Sequence, residues 1–107
     1  MNKKLEFEIS MDVNHLPEKI MWKADDTEQA RESKAIMLSI WDKKDGNTMR
    51  VDLWDKDFTT DEMKTFFIQS LLTMNDTLER ATGDTELCRG IREFGRELGK
   101  RMGVIKE

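Results

Sequence analysis

Four scarcities bound this 107-residue sequence: one cysteine, one histidine, one proline and no long apolar run. A lone cysteine, Cys88, excludes an intramolecular disulfide and a cysteine-rich metal site, and reads as a small hydrophobe on a helix. His15 has no second histidine or cysteine beside it in sequence to complete a metal set. A Ser/His/Asp arrangement would have to use it, yet there is no G-x-S-x-G elbow and no glycine-rich phosphate loop. His15 therefore reads as a solvated loop residue next to Pro17. No stretch approaches the roughly 18 to 20 apolar residues of a membrane span. The opening MNKKLEFEISMD is briefly basic, but Glu6, Glu8 and Asp12 interrupt any apolar core, so a secretory signal is not expected and a cytoplasmic location is. Net basic charge is missing as well: 18 Lys and Arg stand against 22 Asp and Glu, net −4. Residues 86 to 107 hold six basic and four acidic side chains, net +2, which leaves −6 on residues 1 to 85. Such a chain is a poor nucleic-acid binder, because phosphate contacts demand clustered Lys and Arg.

What is present is regular. Leu5, Phe7, Ile9, Met11 and Val13 alternate with Glu6, Glu8, Ser10 and Asp12, the period-two pattern of a strand with one buried face. Asn14 to Glu18 reads as a loop around Pro17. Lys19 to Asp25 reads as a second strand with Ile20, Trp22 and Ala24 inward, and Asp26 to Ser33 as a polar connector. The stretch Ala35 to Met63 organises the rest. Asp45-Gly46 suits a two-residue type I′ turn. Counting outward from a Lys44–Asn47 pair sets Trp41 opposite Arg50, Ile40 opposite Val51, Ser39 opposite Asp52, Leu38 opposite Leu53 and Met37 opposite Trp54. One face is then aliphatic, with Leu38, Ile40, Val51 and Leu53 expected to be buried under helices. The other is mixed, and its Met37, Trp41, Arg50 and Trp54 form the candidate partner-binding surface. A cation–π pair of Trp41 with Arg50 and a sulfur–aromatic contact of Met37 with Trp54 would each contribute about 1 kcal/mol. A competing reading makes residues 28–43 helical, since Ile36, Met37, Ile40 and Trp41 also share a helical face.

Thr59 and Glu62 have capping-box spacing. From there Met63, Phe66, Phe67, Leu71, Met74, Leu78 and Ala81 recur at helical steps, with Lys64, Gln69, Asn75, Asp76 and Glu79 on the other side. Gly83 stops this helix. Asp84 or Thr85 caps a second one, striped by Leu87, Ile91, Phe94, Leu98 and Met102. Its Gly90, Gly95 and Gly99 lower helix propensity unless they permit close packing. The length suits one α+β domain over residues 1–107. The expected fold is a four-stranded antiparallel meander followed by two C-terminal helices packed on one face; the alternative order is β-β-α-β-α-α with residues 28–43 helical.

Chemistry is sparse. Asp52, Asp55, Asp57, Asp61 and Glu62 are the most metal-like group, but they lack EF-hand spacing, and Asp61 and Glu62 suit a helix N-terminus. Arg89, Arg92, Arg96 and Lys100 make a basic stripe flanked by Glu86, Glu93 and Glu97, the pattern of a solvated, ion-paired face; docking on an acidic partner or anionic lipid is its functional alternative. Of eight methionines, Met11, Met63, Met74 and Met102 fit core positions, although methionine-rich surfaces also serve promiscuous binders. No catalytic, cofactor or metal residues are assigned.

PEKIMWKADD and the run AIMLSIWDKKDGNTMRVDLWDKDFTTDEMKTFFIQSLLTMNDTLERATGD resemble the gliding motility-associated GldC family of Bacteroidota, with the likeness extending from about Leu5 to Met102. Asp55 and Phe58 depart from the threonine and methionine expected there. The resemblance implies a small, soluble, non-enzymatic cytoplasmic protein without a cofactor, assisting gliding motility, a process tied in that phylum to the type IX secretion system. No residue role is carried over with it. The function expected is that of an accessory or adaptor protein binding a protein of the gliding or secretion machinery; the alternative is a chaperone-like holder of a secreted or membrane-bound client. Peripheral contact with the inner membrane and homo-oligomerisation stay open.

Overall fold

A computed structural model describes residues 1–106. The class is α+β, with antiparallel strands followed by two helices: β1 Leu5–Met11, β2 Pro17–Ala24, β3 Arg31–Ser33, β4 Ala35–Trp41, β5 Thr48–Trp54, α1 Thr60–Thr82 and α2 Thr85–Arg101. There is no single four-stranded meander. The strands form a three-stranded sheet in the order β1-β2-β3 and a two-stranded sheet β4-β5. As in the alternative order, the strands fall into two groups, but residues 28–43 hold β3 and β4 rather than a helix. Two compact units result, Met1–Phe58 and a second from Thr59 onward.

In the first unit the alternation of β1 sets its register. Leu5 lies opposite Ala24, Phe7 opposite Trp22 and Ile9 opposite Ile20, so the apolar side chains of both strands share a face. Ile20, on the central strand, is fully buried. Pro17 opens β2, a position where its missing N–H costs no ladder bond, and the register shifts there so that Met11 faces it. The loop between is closed by Asp12, whose carboxylate accepts from the N–H groups of Asn14 at 2.8 Å and Leu16 at 3.0 Å. The polar connector contains a strand after all. Arg31–Ser33 pairs with β2, and Arg31 lies over the Trp22 ring at 5.7 Å from its centroid.

The β4–β5 hairpin departs from the counted register by two residues. Ala35 faces Trp54, Leu38 faces Val51, Ser39 faces Arg50 and Trp41 faces Thr48. The cause is the turn. Gly46 N–H donates to the Asp42 carbonyl at 2.9 Å, the Asp42 carboxylate accepts from Asp45 N–H at 2.7 Å, and Asp42 N–H reaches the Asn47 carbonyl at 2.9 Å. That makes a four-residue loop in which Gly46 is left-handed (φ 63°) and Asp45 is not, rather than a two-residue type I′ turn. A shift of two leaves the faces as expected, because side chains alternate with period two. Burial of the aliphatic face is incomplete: Leu38 and Leu53 are half-buried, but Ile40 is 52% and Val51 44% exposed. Ile40 lies next to the turn and Val51 in the middle of the ladder, in a two-stranded sheet that has no third strand to flank them.

In the second unit the capping box is complete. Thr59 Oγ1 accepts from Glu62 N–H and Glu62 Oε1 accepts from Thr59 N–H, both at 3.0 Å. Gly83, at φ 73°, ends α1 with its N–H on the Glu79 carbonyl, and Asp84 caps α2 through Leu87 N–H at 3.1 Å. The seam between the helices is not the apolar stripe read from the sequence. Its buried residues are Ile68 and Asn75 on α1 and Cys88, Gly95 and Gly99 on α2. A Cβ on Gly95 would stand 2.9 Å from Leu72 Cδ2, and one on Gly99 would stand 2.7 Å from Ile105 Cδ1. Small residues let the helices approach on this side, so packing follows side-chain size rather than apolarity. Asn75, expected on the polar side, is 3% exposed and donates through Nδ2 to the Cys88 carbonyl at 2.8 Å. Met74 and, in the first unit, Met11 are exposed rather than core residues; Met63 and Met102 are half-buried.

Candidate functional site

The β4–β5 ladder brings the four candidate residues onto one face. Met37 and Trp41 project from β4 on the same side as Arg50 and Trp54 from β5, because the paired positions Ala35–Trp54, Met37–Asp52, Ser39–Arg50 and Trp41–Thr48 all belong to it. Trp41 is 69% and Trp54 51% exposed, at opposite ends of the face, while Met37 is half-buried. Arg50 does not stack on Trp41 as expected. Its guanidinium grips the Asp52 carboxylate two residues along the same strand, Nη2 to Oδ1 at 2.7 Å and Nε to Oδ2 at 3.2 Å, and donates across the strands to Ser39 Oγ. That carboxylate raises the Arg50 pKa above its ordinary value. The face therefore presents two indoles separated by an oriented cation–carboxylate fork.

Beyond Trp54 the strand leads into a cleft of about 270 Å³ lined by Leu16, Pro17, Leu53, Trp54 and the Asp52, Asp55 and Lys56 side of the chain. Lys56 forms an ion pair with Asp12. Together with the N–H groups of Leu16 and Asn14, Lys56 holds the Asp12 carboxyl below the usual carboxylate range, and the Lys56 ammonium is raised in return.

The acidic residues serve local structure. Asp55 is buried, accepts from Asp57 N–H at 3.0 Å, and continues the β4–β5 ladder by donating its N–H to the Lys34 carbonyl at 2.8 Å. Asp61 and Glu62 occupy the first turn of α1. Among the described residues no group of three or more His, Cys, Asp or Glu side chains is placed to hold a metal ion. His15 is an exposed loop residue with left-handed backbone (φ 61°).

On α2 the basic stripe is ion-paired in part. Arg89 meets Glu86, and Arg92 reaches across to α1, to Glu79 at 2.8 Å and Asp76 at 3.4 Å. Cys88 is fully buried, and burial pushes its thiol pKa up, away from the reactive thiolate. Sequence reading missed Asn75. Its Oδ1 has no hydrogen-bond partner inside the seam, and the one available clue was a polar residue at a seven-residue step from Ile68. Among the described residues no helix is long and apolar enough to cross a membrane.

These features define a small α+β protein whose most developed surface is an aromatic strand face. The chain belongs to the GldC-like family of gliding motility-associated proteins, whose model matches residues 17–104. No curated protein and no solved structure matches it.

Proposed function

We propose that this protein is a non-enzymatic cytoplasmic adaptor of the gliding apparatus, linked to type IX secretion, which works by binding another protein component through the Met37, Trp41, Arg50 and Trp54 face. Membership in the GldC-like family carries the process. The observation that carries the surface is the exposure of Trp41 and Trp54 on one side of one hairpin. Trp and Arg are the residues most enriched among binding hot spots, and loss of such an anchor costs about 2 kcal/mol or more. Arg50 is already oriented by Asp52 and Ser39, so little side-chain freedom is left to lose when it meets a partner.

Affinity capture from native gliding cells, with identification by mass spectrometry, tests the reading. The unaltered protein is expected to retain one stoichiometric component of the motility or secretion machinery, and the folded Trp41→Ala, Arg50→Ala double variant to lose it. Unchanged capture by that variant removes this face, and the α2 basic stripe becomes the next surface. A chaperone-like role is the second reading, favoured by the exposed methionines Met11, Met49 and Met74. It expects many unfolded clients in place of one partner.

A further inference from the structure

We propose that the helical hairpin of the second unit is a dimer interface, its apolar face seating the same face of a second copy to close an antiparallel four-helix bundle. The seam between α1 and α2 uses the side of α2 that carries Cys88, Gly95 and Gly99. A quarter-turn away from that seam, α1 presents Phe67, Leu71, Met74 and Leu78, and α2 presents Leu87, Ile91, Phe94 and Leu98. Because the helices run antiparallel, the same rotational offset on each puts both rows on one side of the hairpin. Neither row contains an ionisable residue, whereas the opposite side carries Gln69, Asp76 and Arg80 from α1 and Arg89, Arg96 and Lys100 from α2.

The apolar side is unfilled. Phe94 is 64%, Met74 59% and Leu87 55% exposed, and Phe67 and Leu78 are exposed too. Covering those five side chains removes on the order of 500 Å² from water, and the half-buried Leu71, Ile91 and Leu98 carry the total toward the ~800 Å² per partner of a standard stable interface. Residue layout selects a second copy as the occupant. With Gly95 against Leu71 and Leu72 and Gly99 near Ile68, the rows lie level as Phe67 with Leu98, Leu71 with Phe94, Met74 with Ile91, and Leu78 with Leu87. A twofold axis along the helices sets α1 of one copy across from α2 of the other, so all neighbouring helices are antiparallel. On directly facing helices each layer then sets Phe against Leu, Met against Ile or Leu against Leu, while the two phenylalanines of a layer stand on diagonal helices, the alternation of size that fills a bundle core. A partner recognised by charge finds nothing on this face to pair with.

Sedimentation equilibrium on the full chain tests the proposal. A mass near twice the 12.6 kDa of one chain is expected at micromolar concentration, and Phe94→Glu is expected to weaken the dimer by about 30-fold or more. Trp41→Ala, on the other unit, should leave the dimer unchanged. Should Phe94→Glu fail to fold, the unaltered protein decides: in a mixed sample of differently labelled chains, the Met74 methyl should show intermolecular contacts to the Ile91 and Phe94 side chains of the other copy. A monomer throughout the micromolar range, or a dimer in which Met74 meets only its own chain, overturns the proposal. Neither outcome bears on capture of a motility partner.

Discussion

Gly90, Gly95 and Gly99 lie on one helix, yet a methyl group means something different at each. Gly90 has open space where a Cβ would stand, while Gly99 faces Ile105 Cδ1 at 2.7 Å, Ile105 Cγ1 at 3.0 Å and Ile68 Cγ2 at 3.3 Å. Ile105 arrives there because the chain reverses after α2: Gly103 is left-handed at φ 76°, and Val104 N–H donates to the Gly99 carbonyl at 2.8 Å, with an apolar contact closing the end of the helix. Gly90→Ala should therefore gain roughly 0.5 to 1 kcal/mol of helix propensity, whereas Gly99→Ala should lose that gain to displacement of Ile105 and Ile68. Urea unfolding of the two variants checks the contrast; equal stabilisation by both would show that the contact at Gly99 yields freely. Asp12 is the second residue with a distinct signature. Its folded-state pKa is depressed, so the stability it contributes is present above its unfolded pKa and is lost as pH falls through the folded value. Asp12→Asn keeps an oxygen for the Asn14 and Leu16 N–H groups and removes the charge facing Lys56. Thermal melts should then show the variant less stable at neutral pH, and the difference should shrink below about pH 4, vanishing once the wild-type carboxylate is protonated. A gap independent of pH would assign the loss to the loop rather than to the charge.

At the level of elements, the β4–β5 turn depends on Gly46. Its left-handed φ of 63° is open to glycine and disfavours a residue with a Cβ by about 1 to 2 kcal/mol, so Gly46→Ala should destabilise the hairpin by that order. The matching measurement is amide exchange at Asn47 and Thr48 beside the turn, which should accelerate; unchanged exchange with an unchanged unfolding midpoint would mean the loop has another conformation within reach. This turn also marks the limit of what the sequence discloses. Asp45-Gly46 announces a reversal, but the carboxylate of Asp42, three residues before Asp45, accepts the Asp45 N–H and lengthens the loop, which moved the register by two and spared the faces. Although β2 begins at Pro17, read as loop, and the β1 face read as buried leaves Leu5, Phe7 and Met11 exposed, the Thr59–Glu62 box, the Gly83 stop and the strand character of β1 and β2 were legible from local pattern. β3 was not, since Arg31-Glu32-Ser33 has no apolar alternation and becomes a strand only by lying along β2. The α1–α2 seam was hidden for a related reason: Ile68 packs where Gly99 leaves room for it, and Asn75 is buried against the Cys88 carbonyl, partners that the local pattern of α1 does not reveal. The four candidate surface residues were placed on a common face correctly, while the partner of Arg50 was not, because a carboxylate two residues away on the same strand captures it before an indole can.

Across the whole molecule, fully buried hydrophobic side chains are few among the described residues: Ile20 in the first unit, and Ile68 and Cys88 in the second. Local stability follows apolar burial and hydrogen bonding, so each unit should open from its edges toward those positions. In the first unit β2 alone has a strand on either side, with Ile20 opposite both Ile9 and Ser33, while β4 and β5 have only each other. Native-state hydrogen exchange should accordingly show two separate maxima of protection. One falls on β2 around Ile20, and the other on the helices around Ile68, Leu72 and Cys88, with Trp41 and Thr48 near the turn among the fastest of the ladder amides. If two copies meet through the helical face, the second maximum should rise with protein concentration, because association stabilises only the folded form that binds. The first should not move by the same mechanism. Equal protection across β2 and the β4–β5 hairpin would contradict this ordering, since it would mean that the hairpin's exposed Ile40 and Val51 are shielded in solution by a layer that β2 does not need.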